Sequence, residues 1–392
     1  MTYFERGIID LVKSAITGDK ISLSDDFDWE KAYRIAKKHQ ITPMLYYGIK
    51  NSEITPPPEI AANIEIGIFN HISTSTKQLY ELDKIFKVFD DAKIQYMPLK
   101  GTLLKYMYNK PEMRSMGDAD ILIKVEQYDK IKPIISALGF NEISESNHEF
   151  IWNKPNALHL ELHKMLIPSY NKDYYAYFKD GWHLAKKTDT TRYELSAEDN
   201  FIYLFTHYAK HYRDGGIGIR HLTDFYVFLN KNQNIDKTHI EKGLKKLHLL
   251  DFYKNSMKTL AVWFDGEKDT EITDFITAKI IGSGSYGTHD AHIISSAVKT
   301  SKTVENSNSV KSKKMIYMIF PKYSVMAGKY HILKKCPVLL PFAWVWRFVT
   351  AIFFRRDNIK IQKNDLKLMS ADNISKYQQE LNFVGLDFNF KE

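Results

Sequence analysis

Ile8, Ile9, Leu11, Val12 and Ile16 recur at helical spacing and predict an amphipathic helix near the start of the chain. A second helix is predicted over Trp29–Lys38; Pro56-Pro57-Pro58 then breaks the chain, and a long helix is expected from about Glu59 to Asp91. Past residue 93 the period changes. Ile94–Leu99 predicts a short strand ending at Lys100-Gly101, Leu103–Tyr108 the start of a helix, and Asp118–Ile123 a strand with period two. Gln127–Leu138 reads as a helix stopped by Gly139, while Phe150–Trp152 and Ala157–His163 read as further strands. Ser196-Ala197-Glu198-Asp199 caps a helix that opens with Phe201–His211, and the pattern stays helical to about residue 295. Thr300–Lys314 is polar and reads as a linker or surface loop. No internal repeat is present. The expected fold class is α+β: a helical region over 1–92, a small mixed-sheet core over 93–190, a helical domain over 191–295 and a C-terminal region over 296–392.

Composition narrows the class. A chain of 392 residues with 44% hydrophobic content is too long for a stapled miniprotein and too apolar for a disordered one. One cysteine, Cys336, excludes a disulfide framework within the chain and any multi-cysteine metal site. A reducing cytoplasm is the expected compartment, and Met1–Asp10 lacks the apolar core of a signal peptide. Cys336 itself, beside Pro337, is expected to be a small buried or interfacial residue. The charge of +8 is unevenly placed: residues 296–392 hold 17 Lys+Arg and 7 Asp+Glu, a net +10, so the first 295 residues sum to −2. That excludes a uniformly basic nucleic-acid coat and raises the question of a local anionic partner, lipid or polymer. Val338–Phe354 is apolar and aromatic but short for a span, with Arg347 near its middle. Lys334, Lys335, Arg355 and Arg356 bracket it, which suits packing or peripheral membrane contact better than crossing.

The strongest chemical pattern is Asp118-x-Asp120, two carboxylates on one face of a strand whose Ala119, Ile121 and Ile123 point into a core. Carboxylates this close repel unless a cation neutralises them, and hard divalent cations prefer oxygen. Glu161, on the polar face of Leu158-His159-Leu160-Glu161-Leu162-His163, joins them if the two strands are neighbours. Lys100-Gly101-Thr102 sits at a strand-to-helix turn where backbone N–H groups can approach phosphate, and Lys100 and Arg114 add positive charge against a triphosphate. A glycosidase carboxylate pair is the competing reading of the acids alone.

Met97-Pro98-Leu99-Lys100-Gly101, Arg114-x-x-x-Asp118-x-Asp120-Ile121-Leu122-Ile123 and Glu161-x-His163 together resemble the nucleotidyltransferases of the polymerase-beta-like superfamily, most closely a bacterial branch known only as nucleotidyltransferase family proteins. Arg220-His221-Leu222-Thr223-Asp224 and Phe320-Pro321-Lys322-Tyr323 extend the resemblance, which covers most of residues 30–360. It implies a nucleotidyltransferase core moving a nucleoside monophosphate from an NTP, ATP among them, to a small molecule, sugar or protein, with Mg²⁺ or Mn²⁺. Asp118, Asp120 and Glu161 would be catalytic and hold the metal. Lys100, Gly101, Thr102, Arg114 and His163 would contact nucleotide or phosphate. The superfamily's usual Gly-Ser turn is here Lys100-Gly101-Thr102, and its third carboxylate is a glutamate.

Other motifs are weaker. His207, Lys210 and His211 fall at helical spacing and either wall the phosphate pocket or belong to a packed or capped helix end; no glutamate follows His207, so the zinc-protease pattern fails. Arg220 and Asp224, four apart on a helix, are expected to pair. Gly282-Ser283-Gly284-Ser285-Tyr286-Gly287 follows helical sequence and reads as a turn, not a dinucleotide loop. The competing function is a catalytically degenerate nucleotide-binding or scaffold protein attached to envelope or polysaccharide machinery; an RNA-directed transferase ranks third.

Overall fold

The computed structural model describes residues 1–285, 287–301, 316, 319–354 and 364–386. Residues 302–314 of the expected linker, Tyr286, Arg355 and Arg356 lie outside the described residues. The chain divides into two compact units, one holding Met1–Lys210 and Ile217–Tyr286, the other His211–Gly216 and Gly287–Phe388.

The first unit opens with helices α1 (Tyr3–Thr17), α2 (Trp29–His39), α3 (Thr42–Ser52) and α4 (Pro58–Asp91). Thr2 and Glu5 form a reciprocal capping box on α1, and Asp28 caps α2 through the amide of Lys31, so polar side chains satisfy the free N–H groups of both ends. Proline fixes the starts of α3 and α4. Then come β1 (Tyr96–Pro98), the short α5 (Lys100–Leu104), β2 (Ala119–Ile123), α6 (Tyr128–Ala137), β3 (Asn141–Glu145), β4 (Glu149–Lys154) and β5 (Leu158–His163). The five strands form one mixed sheet in the order β1-β2-β5-β4-β3. Only the β2–β5 pair is parallel, with Asp120 opposite Glu161 and Ala119 opposite Leu160.

That register follows from burial. Ala119, Ile121 and Ile123, with Leu158, Leu160 and Leu162, join one core with Leu82, Ile85 and Phe89 of α4 and Ile131 and Ile135 of α6. A one-residue slip would turn this apolar set outward. Asp120 and Glu161 are thereby committed to the opposite face. β3 is exposed along its length, but Glu142 and Glu145 blunt it as a pairing edge. The strand and the β6–β7 hairpin (Ala185–Lys187, Tyr193–Leu195) are additions to the expected elements, as is helix α7 (Lys172–Phe178). Helices α8 (Ala197–Asp214), α9 (Ile219–Lys231), α10 (Lys237–Lys246), α11 (Leu250–Phe264) and α12 (Glu271–Ser283) follow. Gly284, just past α12, has φ +79°, which accounts for glycine in that turn.

His39, at the end of α2, is fully buried. Its Nε2 lies 2.9 Å from the carbonyl of Ile281, and its Nδ1 accepts the Ile219 N–H at 3.2 Å. Those partners fix a neutral tautomer, and burial pulls the ring down to about 4. The unfolded chain binds a proton near pH 6.5 that the folded chain refuses. Stability from this group is therefore present above pH 6.5 and is lost as pH falls toward 4, by about 3 kcal/mol in all. Urea unfolding of wild type and His39→Gln at pH 7 and pH 4.5 checks this: the gap between the two proteins should narrow at the lower pH. A constant gap refutes it.

In the second unit, α13 (His289–Ser301) is followed by the helices Tyr323–Lys329, Leu340–Phe354 and Ala371–Phe383. Among the described residues no helix is long and apolar enough to cross a membrane. Cys336, expected to be buried or interfacial, is exposed between the turn Ile332–Lys335 and Pro337.

Candidate functional site

Asp120 is the centre of the site. It is 2% exposed, and its Oδ1 receives Lys100 Nζ at 2.8 Å and lies 2.7 Å from His163 Nε2. Burial alone would raise this carboxyl, but Lys100 and His163 hold it well below the usual range. Asp118, one residue before β2, is half-buried; burial and the neighbouring Asp120 charge push it up. Glu161 stands opposite Asp120 on β5, its Oε2 3.5 Å from His163 Nε2 and its Oε1 3.8 Å from His159. The sheet thus brings together the three carboxylates expected from the sequence.

His163 links two acid–base layers. Its Nδ1 lies 3.2 Å from His148 Nε2 and 3.6 Å from Glu149. Burial works against its charge, but hydrogen bonds to Asp120 and Glu161 raise it. His148 goes the other way, down to about 3, through burial and the charge of His163. When His163 donates from Nε2 to Asp120, its Nδ1 is left to face His148 Nε2. His148 and Glu149 were not expected from the sequence. Their only signal was position: β4 pairs antiparallel with β5, placing Glu149 opposite His163.

Tyr203 was also missed. It is fully buried on α8, its hydroxyl has no hydrogen-bond partner, and the charges of Lys100, Asp120, Glu161 and Glu149 all act on it. Lys210, about two turns further along α8, is close enough for its charge to depress His148. His207 lies between them on the same helix, and His211 falls in the second unit.

The Lys100-Gly101-Thr102 turn differs in detail from expectation. Lys100, not glycine, has the left-handed backbone, at φ +44°. Gly101 is explained by packing: a Cβ there would meet Arg114 Nη1 at 2.7 Å. Thr102 is buried and its amide donates to the Leu99 carbonyl. Arg114 is 6% exposed and makes a forked pair with Asp224, at 3.3 Å from Nε and 3.1 Å from Nη2. Asp224 also accepts the Tyr108 hydroxyl at 2.6 Å, while Arg220 donates to the Ser115 carbonyl at 2.5 Å. Arg114 therefore buttresses the turn from beneath, its charge met by Asp224.

The donor set fits a hard divalent cation. Asp120, Glu161 and His163 present ligand atoms within 4.8 Å of one another, and so do His148, Glu149 and His163. With His163 Nε2 directed at Asp120, the carboxylate oxygens are the available donors, as Mg²⁺ or Mn²⁺ prefers.

No curated protein and no solved structure matches the chain. Residues 25–265 match a family described as uncharacterised nucleotidyltransferase, a stretch that runs from α2 through α11 and contains the whole sheet. With well over half its length inside that match and the carboxylate-bearing sheet at its centre, the chain belongs to the uncharacterised nucleotidyltransferase family.

Proposed function

We propose that the protein transfers a nucleoside monophosphate from an NTP to an acceptor, with divalent-metal dependence and release of pyrophosphate. One observation supports this above the rest: Asp120 and Glu161 are register partners on parallel strands, with Asp118 just ahead and Lys100 at 2.8 Å. Asp118, Asp120 and Glu161 would hold Mg²⁺ or Mn²⁺, which when bound supplies Lewis acidity toward phosphate oxygens. The chain's own groups do the rest. An acceptor oxygen attacks the α-phosphorus, the bond to pyrophosphate breaks, and the acceptor's proton passes to Glu161. Lys100 and Lys210 offset triphosphate charge, and His163 keeps Asp120 ionised and aimed. His207, Gly101 and Thr102 stay with the phosphate-facing walls in this reading. Arg114 is a positioning residue.

The test is purified protein with each α-³²P-labelled NTP and Mg²⁺ or Mn²⁺, with and without cell lysate. Label transferred to protein, RNA or a small molecule, and lost in Asp118→Asn, supports the reading and gives the acceptor class. Metal-dependent nucleotide binding without transfer would favour the catalytically degenerate scaffold. Neither result leaves transfer unsupported and overturns the reading.

A second proposal concerns location: a cytoplasmic protein touching an anionic membrane through its C-terminal region. In the helix Leu340–Phe354, Leu340, Ala343 and Trp344 pack on Met326, Ala327 and Leu333. Phe342, Val345, Trp346 and Val349, at i, i+3, i+4 and i+7, are left 72%, 64%, 62% and 39% exposed. Residues 306–356 contain ten Lys/Arg and no Asp or Glu. An apolar, aromatic face in an all-cationic segment is complementary to anionic lipid. Trp346→Glu should weaken sedimentation with phosphatidylserine-containing vesicles about tenfold or more, since it removes a large exposed ring and adds a charge of the lipid's own sign. Unchanged binding refutes the face; tighter capture by a soluble polyanion than by vesicles refutes the lipid.

A further inference from the structure

On the other side of Asp118 from the carboxylate cluster along the chain, Gly117, Met116 and Ser115 form one wall of a cavity of about 250 Å³. α4 supplies a second wall through His71, Thr74, Ser75 and Gln78, and Lys105 and Glu112 complete it. Apart from Met116 and Gly117, every residue bordering it has a hydrogen-bonding side chain.

Two groups in it have unspent capacity. Ser75 is 4% exposed and its Oγ has no partner among the described residues. Lys105 is 1% exposed, and its Nζ donates one bond, at 2.9 Å, to the Arg114 carbonyl. Buried lysines are normally paired with an acid, but among the described residues no ion pair with a carboxylate forms at Lys105. The walls themselves are fixed. Gln78 Nε2 donates to the Met116 carbonyl at 2.8 Å, Ser115 Oγ donates to the Gln40 carbonyl at 2.7 Å, and Tyr47 donates to Glu112 at 2.5 Å.

We propose that this cavity binds a small uncharged polyhydroxyl molecule, a monosaccharide or polyol. The lining offers donors (Lys105, Gln78) and acceptors (Glu112, Ser75 Oγ) in mixture, which hydroxyl groups match because each both donates and accepts. An apolar ligand would leave Ser75 Oγ and the remaining Lys105 N–H groups unpaired. An anion would meet Glu112. Burial and the Arg114 charge bring Lys105 down to about 7, which also lowers its call on a negative partner. The volume lies below the roughly 300–1,000 Å³ of drug-sized sites and suits one sugar ring. Because Gly117 leads straight into Asp118, an occupant steadies the segment that aims the first carboxylate.

Saturation-transfer NMR tests the site with D-glucose, N-acetyl-D-glucosamine, myo-inositol and glycerol, using full-length protein without nucleotide or metal. The assay is independent of transfer, so Asp120→Asn protein should bind as wild type does whether or not the transferase reading holds. Saturable binding by at least one probe is expected, weakened about tenfold by Ser75→Leu, which fills the cavity. Should Ser75→Leu fail to fold, Thr74→Val keeps the shape of an exposed helix position and removes a hydroxyl, and it should weaken the same probe. No saturable binding by any probe overturns the proposal. So does binding that both variants leave unchanged, or a preference for inorganic phosphate over every sugar.

Discussion

Asp120→Asn is expected to lower nucleotidyl transfer by about 10²- to 10³-fold or more, the scale on which removing a preorganised electrostatic group acts. Asparagine keeps the shape and removes the charge on which Lys100 and His163 converge. The same substitution should also reduce stability, because Lys100, 17% exposed at its side chain, loses its counter-charge. The two effects separate in the double variant Lys100→Met/Asp120→Asn, which removes the stranded ammonium together with its counter-charge. Its urea midpoint should recover toward wild type while transfer stays absent. Full activity in Asp120→Asn would remove the metal and catalytic assignment together.

The face of the sheet that carries this chemistry was legible because strand periodicity is strict. Asp118-x-Asp120 and His159-x-Glu161-x-His163 could only share faces opposite their alanine, isoleucine and leucine neighbours, and burial then fixed the β2–β5 register. What was not legible depended on pairing between distant segments. His148 and Glu149 reach the site because β4 returns antiparallel beside β5, and nothing local to Ser146–Glu149 announces a strand with that register. Tyr203 lies in an aromatic helix where Phe201, Phe205 and Tyr208 have the same look, and only α8's placement makes one hydroxyl matter. Local rules also missed a long-range partner. Arg220 and Asp224 are four apart on α9, and Asp224 is forked by an arginine 110 residues earlier. Helical spacing shows which groups can meet, while tertiary packing decides which arginine arrives with bidentate geometry.

That arginine supplies the second large effect. Arg114→Met should destabilise the first unit by about 3–5 kcal/mol, because it takes the forked cation from the Asp224 carboxylate, 5% exposed. Burial raises the cost of that charge, to which the Tyr108 hydroxyl also donates. Asp224→Asn added to Arg114→Met removes the stranded charge and keeps an acceptor for Tyr108, so the double variant should be more stable than Arg114→Met alone. Urea unfolding of the four proteins in the cycle reads this directly. The same cycle decides between two roles. A triphosphate contact would raise KM for NTP and leave the folded state nearly as stable, since a surface cation costs little to remove. A buttress under Gly101 instead loses stability first, and activity falls through a shifted Lys100 turn, with the double variant recovering both in step. Recovery of stability without any recovery of activity would mean that the guanidinium reaches the nucleotide after all.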